Sequence, residues 1–332
     1  MMSRSVSLDL PNIKAPSHIP VLLKEVIESL EIGEGQVFVD GTYGRGGYTQ
    51  AILDAGAHTQ VWGIDRDPEA INHGKEMQQA YPDRFTMLQG CFGAMNNLLS
   101  AEGMTAVDGI VLDVGVSSAQ IDDPARGFSF RFDGPLDMRM SQQGPTAADV
   151  VNDTKEEDLA NIIYNLGEER FSRRIARKIV DVRSQKSFET TKELADVVRS
   201  VVPRHKDGID PATRTFQALR IYVNDELKEL ERGLDQSISL LKEGGRLVVV
   251  SFHSLEDRCV KNFLRTQSGG NVSVSRYAPP QITSTSPVFK IMTKRAVVPG
   301  EEECRLNPRA RSAKLRAARR LPTPNSEERR IL

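Results

Sequence analysis

The feature that most constrains this chain is a glycine-rich turn between two short apolar runs. The first run, residues 37–40, leads directly into Gly41-Thr-Tyr-Gly-Arg-Gly-Gly47, and a helical pattern follows over residues 48–54. The second run, Val61-Trp-Gly-Ile-Asp65, ends on a carboxylate. In α/β nucleotide-binding folds the glycines of such a turn let the backbone approach a ligand, and the acid accepts hydrogen bonds from ribose hydroxyls. The sequence therefore predicts a nucleotide pocket.

The turn fits a dinucleotide poorly. A dinucleotide fingerprint has the spacing G-x-G-x-x-G, in which the third glycine packs the helix on the sheet and the helix N-terminus meets a pyrophosphate. Gly44 and Gly46 begin that spacing, but Thr49 occupies the third position and the paired glycine is Gly47. Asp40 at the mouth of the turn would repel a pyrophosphate and could hold an ammonium group.

These features favour S-adenosylmethionine as the cofactor. It carries an ammonium group and no phosphate, and it offers two ribose hydroxyls to Asp65. An NAD-dependent oxidoreductase is the alternative that Thr49 disfavours. Taken alone, the stretch is also compatible with an ordinary tight turn between a strand and a helix.

Short apolar runs alternate with helical patterns along the chain, which indicates a Rossmann-like α/β sheet with helices on both faces. The runs are Val37–Asp40, Val61–Asp65, Phe85–Gln89, Ile110–Asp113 and Arg246–Phe252. Ligands of such sheets bind at the carboxyl ends of the strands. The side chains at or just beyond these ends are Asp40, Asp65, Phe92 and Asp113.

An insertion separates the fourth and fifth predicted strands, because residues 114–245 far exceed a crossover helix. Its first part, residues 122–140, has no clear period and predicts an ordered loop. Helices follow, with capping boxes predicted at Thr154 and Thr190. Asp210 is expected to cap a long helix that is interrupted near Gly233.

The C-terminal segment, residues 311–318, alternates between apolar and polar side chains and predicts a late edge strand.

The composition excludes other classes of protein. The 332 residues carry a net charge of −1, and the 3 cysteines lie far apart, which argues against a metal site or a disulfide framework. No apolar run has membrane-spanning length, and residues 1–16 lack the apolar core of a signal peptide. We expect a cytoplasmic protein with no metal and no membrane contact.

Asp113 is the candidate catalytic residue. A polar side chain at this strand end of a methyltransferase sheet faces both the cofactor and the methyl acceptor, although a carboxylate that caps the next turn through Ser117 or Ser118 is the alternative. Phe92 could lie beside an adenine ring or belong to the core. His253, after the fifth strand, is a candidate base, but histidines at strand ends are often structural.

Three basic segments are candidates for contact with nucleic acid. The predicted loop mixes phenylalanines with Arg126, Arg131 and Arg139, a combination that holds single-stranded RNA but also forms internally salt-bridged loops. An amphipathic helix presents Arg173, Arg174 and Arg177, either to phosphates or only to solvent. The third segment, residues 305–320, contains no acid. Its candidate contacts are Arg309, Arg311, Lys314 and Arg316.

Several long motifs follow one another in the order of a known family's signature blocks. They are His18-Ile-Pro-Val-Leu-Leu, Asp40-Gly-Thr-Tyr-Gly-Arg-Gly-Gly, Asp65-Arg-Asp-Pro, Leu112-Asp-Val-Gly-Val-Ser-Ser-Ala-Gln120, Arg126-Gly-Phe-Ser-Phe, Gly134-Pro-Leu-Asp-Met-Arg-Met, Asn165-Leu-Gly-Glu-Glu-Arg, Thr213-Arg-Thr-Phe-Gln-Ala-Leu-Arg-Ile, Ser251-Phe-His-Ser-Leu-Glu-Asp-Arg and Asn307-Pro-Arg-Ala-Arg-Ser-Ala-Lys-Leu-Arg. In these motifs the chain resembles the bacterial 16S ribosomal RNA cytosine-N4 methyltransferases (RsmH, formerly MraW). The resemblance covers nearly all of the chain beyond residue 17.

The resemblance implies a class I methyltransferase sheet with an inserted, mainly helical domain. It implies that S-adenosylmethionine is held by Gly46, Gly47, Tyr48, Asp65, Phe92, Asp113 and Gln120, to which the residue patterns above add Asp40 and Gly44. The implied methyl acceptor is a cytidine in the decoding centre of the small ribosomal subunit. The substrate is either 16S rRNA or the assembled 30S subunit, no DNA is expected, and the protein is expected to be a monomer or a weak homodimer.

The expected organisation has four parts. Residues 1–17 form a flexible N-terminal extension, and residues 18–117 and 219–320 form a discontinuous methyltransferase domain. Residues 118–218 form an inserted helical RNA-recognition domain, and residues 321–332 form a C-terminal tail. A non-catalytic RNA-binding assembly factor with a vestigial pocket is the alternative function.

Two departures from known patterns remain. The family usually has His-Ser where this chain has Tyr48-Thr49, so a backbone contact would survive there and a side-chain role for the histidine would not. The adenine and cytosine methylases of DNA have an Asp/Asn-Pro-Pro-Tyr block at the fourth strand end, where this chain has Asp-Val-Gly-Val. The geometry of its methyl acceptor must therefore differ from theirs.

Overall fold

A seven-stranded mixed sheet lies at the centre of the computed structural model, which describes residues 20–203, 208–270 and 286–323. The strands are β1 (Val37–Asp40), β2 (Gln60–Asp65), β3 (Phe85–Gln89), β4 (Val107–Asp113), β5 (Leu241–Ser251), β6 (Phe289–Ile291) and β7 (Lys314–Arg320). Their order is β3-β2-β1-β4-β5-β7-β6, with β1 to β5 parallel and β7 antiparallel to both of its neighbours. The α/β sheet expected from the alternating patterns is confirmed.

Helices connect the strands and build the insertion between β4 and β5. They are α1 (Leu23–Leu30), α2 (Gly47–Ala55), α3 (Pro68–Ala80), α4 (Met95–Ala101), α5 (Ser118–Asp122), α6 (Ala147–Asp153), α7 (Glu156–Gly167), α8 (Ser172–Arg183), α9 (Thr191–Val201), α10 (Thr213–Asn224), α11 (Glu226–Leu240), α12 (Ser254–Gln267) and α13 (Glu301–Leu306). The predicted extension, residues 1–17, and residues 324–332 of the predicted tail lie outside the described residues.

The central strands are buried on both faces because successive side chains of a strand point to opposite sides. On β1, Phe38 belongs to the cluster that contains α1 and α2 residues, whereas its neighbour Val39 belongs to the cluster with α4 and α11 residues. On β5, Val248 and Val249 divide in the same way. A sheet covered on both faces leaves its strand ends as the places where polar groups meet solvent or a ligand.

The insertion has a hydrophobic cluster of its own. Fully buried apolar side chains from α6 to α10 and from the loop before α6 meet there. Helix α10 crosses positions 218 and 219 without a break and contributes Ala218 and Leu219 to this cluster. Helix α10 therefore belongs to the helical unit by its packing, up to the turn at Asp225.

Polar contacts fasten the helical unit to the sheet near the strand ends. Arg66, next to the end of β2, donates to the carbonyl of Asn224 at 2.8 Å. The Asn224 side chain in turn bonds Met140 N at 2.8 Å and Met138 O at 2.7 Å. On the other side, Glu168 accepts from Ser254 Oγ and from Arg258 Nη2, the latter at 2.9 Å. The unit is thus anchored at β2 and at the start of α12.

The structure corrects three local predictions. The late strand β7 is internal rather than an edge strand, because β6, which the sequence pattern did not predict, pairs with its outer side. Lys155, and not Thr154, precedes α7, and no side-chain hydrogen bond caps that helix. The capping box at Thr190 is confirmed.

The third correction concerns the long helix. The break falls at Asp225, which has a left-handed φ of 51°, and not at Gly233, which lies inside the continuous helix α11. A Cβ atom at Gly233 would lie 2.4 Å from Phe92 Cδ2. Gly233 is therefore a site of close packing, which a sequence pattern cannot distinguish from a helix break.

We expect that Gly167→Ala will destabilise the helical unit. A Cβ atom at Gly167 would lie 2.4 Å from the carbonyl oxygen of Arg214, so α7 and α10 would have to separate. Overpacking of this kind costs about 2 kcal/mol. Urea unfolding of the variant measures the loss, with Gly300→Ala as the control because nothing lies within 4 Å of the added methyl group there. Equal effects of the two substitutions would contradict the close approach of α7 and α10.

Candidate functional site

The glycine turn after β1 is held by backbone hydrogen bonds to the neighbouring strands. Gly41 N donates to Val111 O and Tyr43 N donates to Ile64 O, each at 3.0 Å. Gly44 and Gly46 have left-handed φ angles of 53° and 70°, which side chains with a Cβ atom rarely adopt. The backbone of the turn is therefore fixed at the carboxyl ends of β1, β2 and β4.

Asp40 is fully buried at the base of this turn. Its carboxylate accepts hydrogen bonds from Thr49 Oγ1 at 2.8 Å and from Thr42 N at 3.3 Å. Burial, with a smaller contribution from the negative charge of the nearby Asp65, raises the pKa of Asp40 from 3.8 to about 6 despite these bonds. Thr49, which stands against a dinucleotide and replaces the family's usual serine, therefore holds the buried acid in place.

Tyr48 points into the core rather than towards the strand ends. Its side chain is buried and its hydroxyl donates to the carbonyl of Val21. Burial raises the pKa of Tyr48 well above its usual value. Since the ring is packed in the core, only the backbone of Tyr48 can make the predicted contact with the cofactor. The structure thus explains both residues that depart from the family's usual His-Ser. Tyr48 packs in the core, and Thr49 retains the hydroxyl group of the usual serine.

Asp65 ends β2 facing the same turn. It accepts a hydrogen bond from Gly44 N at 2.8 Å through one oxygen and from Asp67 N at 2.9 Å through the other. Burial raises the pKa of Asp65 above its usual value. Each oxygen of a carboxylate has a second lone pair, so both can accept a further hydrogen bond.

Phe92 follows β3, and its ring lies against the backbone of α11 at Gly233. It is half-buried at the edge of the core cluster beneath the sheet. This packing favours the core interpretation that the sequence left open. At most the remaining exposed part of the ring could face a ligand.

Asp113 ends β4 beside Asp40. Its amide donates to Thr42 Oγ1 at 2.6 Å, whereas its Oδ1 atom is buried and has no hydrogen-bond partner within the described residues. Burial and the negative charges of Asp40 and Glu256 hold the pKa of Asp113 well above its usual range. A buried oxygen without a partner costs free energy, so this atom is arranged for a donor that the protein itself does not supply.

Both the oxygen and the nitrogen of the Gln120 side-chain amide are hydrogen-bonded within the protein. Its Oε1 accepts from Ser117 N at 2.9 Å in a capping box, and its Nε2 donates to Asp67 Oδ2 at 2.6 Å. The side chain therefore has little capacity left for the predicted cofactor contact. Instead it ties the start of α5 to the residue two positions beyond Asp65.

Arg126 is a correction to the predicted RNA contacts. Its guanidinium is buried, bonds Asp67 Oδ2 at 2.8 Å and Glu69 Oε1 at 3.2 Å, and also donates to the carbonyls of Arg139 and Met140. A guanidinium that is fully bonded inside the protein cannot reach a phosphate. Arg126 joins the loop before α6 to the start of α3, just beyond Asp65.

Several other predicted RNA contacts are engaged in ion pairs. Arg139 bonds Asp137 at 2.7 Å, and Arg316 bonds Asp257 at 2.7 Å with little exposure of its side chain. The Asp257 carboxylate also accepts from Lys314 at 3.3 Å, and Arg309 pairs with Asp122. The acid-free basic segment, residues 305–320, thus ends in strand β7, and Arg316 in particular is structural.

The remaining predicted cations are exposed. Arg173, Arg174 and Arg177 lie on the solvent face of α8, with Arg177 3.7 Å from Glu156 and Arg174 over the ring of Phe171. The others, Arg131 and Arg311, are also exposed.

Two further residues, Glu256 near Asp113 and Arg220 near Glu256, were not predicted from the sequence. Glu256, buried at the start of α12, accepts from Phe252 N at 2.8 Å, and its Oε1 lies 2.9 Å from His253 Nε2 without the alignment of a hydrogen bond. Arg220 of α10 bonds Glu226 at 2.8 Å and lies 3.9 Å from Glu256. The Ser251-Phe-His-Ser-Leu-Glu block contained the signal, because its His253 and Glu256 have the spacing of a capping box.

The strand ends therefore combine a fixed, open backbone with an excess of buried acid. Asp40, Asp65 and Asp113 meet there, and no cation of the protein pairs with Asp40 or Asp113 in the described residues. Within the same residues no cluster of histidine, cysteine and acidic side chains could hold a metal ion. The site is suited to an organic cation with hydroxyl groups.

Comparison with known proteins identifies the family. A family model described as the MraW methylase family matches residues 15–321. The chain belongs to the MraW methylase family. It is 59% identical over 309 residues to "Ribosomal RNA small subunit methyltransferase H" of Paramagnetospirillum magneticum, covering 92% of this chain and 96% of that protein.

A second relative of this methylase, with the same name and from Rhodospirillum centenum, is 56% identical over 94% of this chain and 95% of its own length. Among solved structures, an rRNA methylase from Streptococcus thermophilus matches with a TM-score of 0.40 and 9% identity, covering 92% of this chain and 100% of that one. A likeness that low adds nothing to the family assignment. No helix in the described part of this methylase is long and apolar enough to cross a membrane.

We expect the stability of this methylase to depend on pH through Asp40. In the unfolded chain the pKa of this aspartate is near 3.8, whereas in the folded chain it is about 6. The folded protein therefore binds more protons between these values, and its free energy of unfolding falls as the pH rises from 4 to 6, by about 2 kcal/mol for this group.

Asp40→Asn removes this dependence, because an amide does not titrate. Without methyl donor, the variant should gain stability relative to the wild type as the pH is raised from 4 to 7.5. Urea unfolding across that range measures the difference, with exposed Asp83→Asn as the control. If the difference in free energy of unfolding between Asp40→Asn and the wild type stayed constant across the range, burial would not raise the pKa of Asp40.

Proposed function

We propose that this methylase transfers a methyl group from S-adenosylmethionine to the N4 amine of a cytidine in 16S ribosomal RNA. Its membership of the MraW methylase family and its relatives, which are named ribosomal RNA small subunit methyltransferases, support the activity. The single observation that carries the mechanism is the group of buried acids at the strand ends, with Oδ1 of Asp113 left without a partner.

The acids fit the charge of S-adenosylmethionine, which when bound supplies a reactive methyl group on a positive sulfonium centre. Asp40 and Asp113 would offset the positive charges of its methionine end, and Asp65 would accept hydrogen bonds from its ribose hydroxyls. The backbone at Gly44 leaves room for the ligand, since an added Cβ atom there would meet only Thr42 O, at 3.8 Å. Gly46 and Gly47 would offer backbone groups, because an added Cβ atom there would lie 2.6 Å from Tyr43 Oη and 2.3 Å from Pro20 Cγ.

Asp113 also has the position to orient the acceptor. The exocyclic amine of cytosine is a poor nucleophile because its lone pair is delocalised into the ring. A carboxylate oxygen that accepts a hydrogen bond from the amine favours the reactive geometry, and its position next to the donor site aligns the two groups. Because its pKa is raised, Asp113 can also take up the proton that the amine loses on methylation.

The helical unit would bind the RNA. The exposed cations Arg173, Arg174 and Arg177 follow directly after Glu168, which bonds Ser254 and Arg258 just beyond the carboxyl end of β5. Phosphates that follow this face of α8 would thus lead towards the site. Arg131 and Arg311 are further exposed cations, whereas Arg309 and Lys314 would first have to exchange their carboxylate partners.

The proposed organisation follows the packing. The sheet with its helices forms the methyltransferase domain, and the inserted RNA-recognition domain begins after β4 near residue 118. We place its end at Asp225 rather than at residue 218, because α10 belongs to its core. The protein is proposed to act in the cytoplasm as a monomer or weak homodimer, with 16S rRNA or the assembled 30S subunit as its substrate and without DNA as a partner.

The direct test is methyl transfer from labelled S-adenosylmethionine to naked 16S RNA and to 30S subunits, followed by mapping of the modified nucleoside. We expect N4-methylcytidine at one position in at least one of the two substrates. RNA binding without any transfer, together with no cofactor binding by calorimetry, would favour the non-catalytic assembly factor instead.

Asp113→Asn should lower the rate of methyl transfer by at least about 100-fold, because an amide cannot take up the proton and presents its acceptor oxygen in only one of two orientations. Rates under saturating RNA and donor measure this effect, and calorimetry measures donor affinity separately. The exposed Asp83→Asn should match the wild type. A near wild-type rate for Asp113→Asn would remove Asp113 from the mechanism.

A further inference from the structure

A cleft of about 690 Å³ opens on the helical unit, away from the strand-end acids. It lies between the tip of the loop before α6 and the helix α9, and its volume is in the range of ligand sites. Its lining residues are Phe130, Arg131, Phe132, Asp133, Lys192, Arg199 and Asp210. None of them belongs to the proposed site of methyl transfer.

The floor of the cleft is built from fixed groups. The ring of Phe130 packs edge-on against Phe216 of α10, with ring centroids 4.8 Å apart. On its other side, the guanidinium of Arg199 lies 5.3 Å from the centre of the Phe130 ring and is bonded to Asp210 at 2.9 Å and Asp196 at 2.9 Å. Arg199 is therefore held by its carboxylate partners and serves as a structural part of the floor.

The loop tip carries an exposed aromatic ring on a fixed backbone. Phe132 is 62% exposed, although its carbonyl accepts from Thr191 Oγ1 at 3.2 Å and the next residues are bonded to the start of α9. Thr191 N donates to Gly134 O at 2.9 Å, and Lys192 N donates to Asp133 Oδ1 at 3.2 Å. The fold thus holds a large apolar side chain in solvent, which has no benefit for stability.

Two cations flank this ring. Arg131 and Lys192 are exposed, and neither side chain forms an ion pair or hydrogen bond with the rest of the described chain. An exposed aromatic face between free cations matches a nucleotide, because the base can stack on the ring while the phosphate meets the charges. An acidic peptide would match the charges but would not require the open ring.

We propose that this cleft is a second RNA subsite that stacks an unpaired base of the substrate on Phe132 and holds its phosphate with Arg131 and Lys192. The inference rests on the proposed function and extends it to recognition of a flanking nucleotide. Helix α10 connects the two places, since Phe216 supports the cleft while Asn224 is bonded to Arg66 beside Asp65. The separation of eight positions between Phe216 and Asn224 corresponds to about 12 Å of helix.

The test compares Phe132→Ala and Lys192→Ala with a control at another exposed aromatic, Tyr164→Ala on α7, which is 54% exposed. With the RNA form that the wild type methylates, Phe132→Ala should raise KM for RNA about 10-fold. The maximal rate and the affinity for S-adenosylmethionine should remain unchanged. Lys192→Ala should weaken binding and reduce the slope of log affinity against log salt by about 1.

Crosslinking to RNA tests for direct contact at position 132, which a purely structural role of Phe132 would not produce. With photoreactive p-benzoylphenylalanine in place of Phe132, irradiation in the presence of 30S subunits should join the protein to 16S RNA, whereas the same group in place of Tyr164 should not. A crosslink only to a ribosomal protein, or an unchanged KM for Phe132→Ala, would overturn the subsite. Failure of the wild type to methylate any RNA would instead overturn the proposed function.

Discussion

The structure depends on the burial of like charges at the ends of its central strands. Three carboxylates, Asp40, Asp65 and Asp113, meet there, and burial raises the pKa of each. A lysine or arginine placed among them would have increased the free energy of unfolding. Under the proposed function, S-adenosylmethionine would supply the missing positive charge, and its binding would relieve a cost that the folded chain otherwise carries. The same atoms that weaken the ligand-free fold therefore supply affinity.

The second constraint is the connection between this pocket and the helical unit. Asp67, two residues beyond Asp65, is bonded by both Gln120 and Arg126, which begin the insertion. Arg66 is bonded to Asn224, where the insertion ends. The segment after β2 thus lies next to Asp65 on one side and contacts both ends of the helical unit on the other. A buried ion pair such as Arg126–Asp67 contributes little net stability, but removal of one partner leaves the other charge buried and destabilises the protein strongly. The pair therefore fixes the position of the insertion relative to the segment after β2.

Much of this organisation can be predicted from sequence, for reasons that differ between elements. Strands such as β1 and β4 are predictable because they are short, largely apolar and buried on both faces, and strand ends follow from topology. The role of Gly233 could not be predicted, because only the position of Phe92 distinguishes close packing from a helix break. Arg126 and Arg316 were misjudged for a related reason: a basic residue has the same appearance in sequence whether it faces solvent or a distant aspartate. Pairs such as Arg316–Asp257 join residues that only the fold brings together.

The ion pairing of the basic segments also bears on substrate selection. A chain with a net charge of −1 cannot hold RNA by its overall field, and many of the cations that the sequence offers are matched by aspartates and glutamates. Attraction to phosphates then depends on exposed cations without a carboxylate partner, such as Arg173 on α8 and Arg131 and Lys192 at the cleft around Phe132. Under the proposed function, RNA of a fixed shape would meet several of these cations at once, whereas an unfolded strand would lose entropy in meeting each of them. A folded subunit would therefore satisfy these contacts better than free RNA.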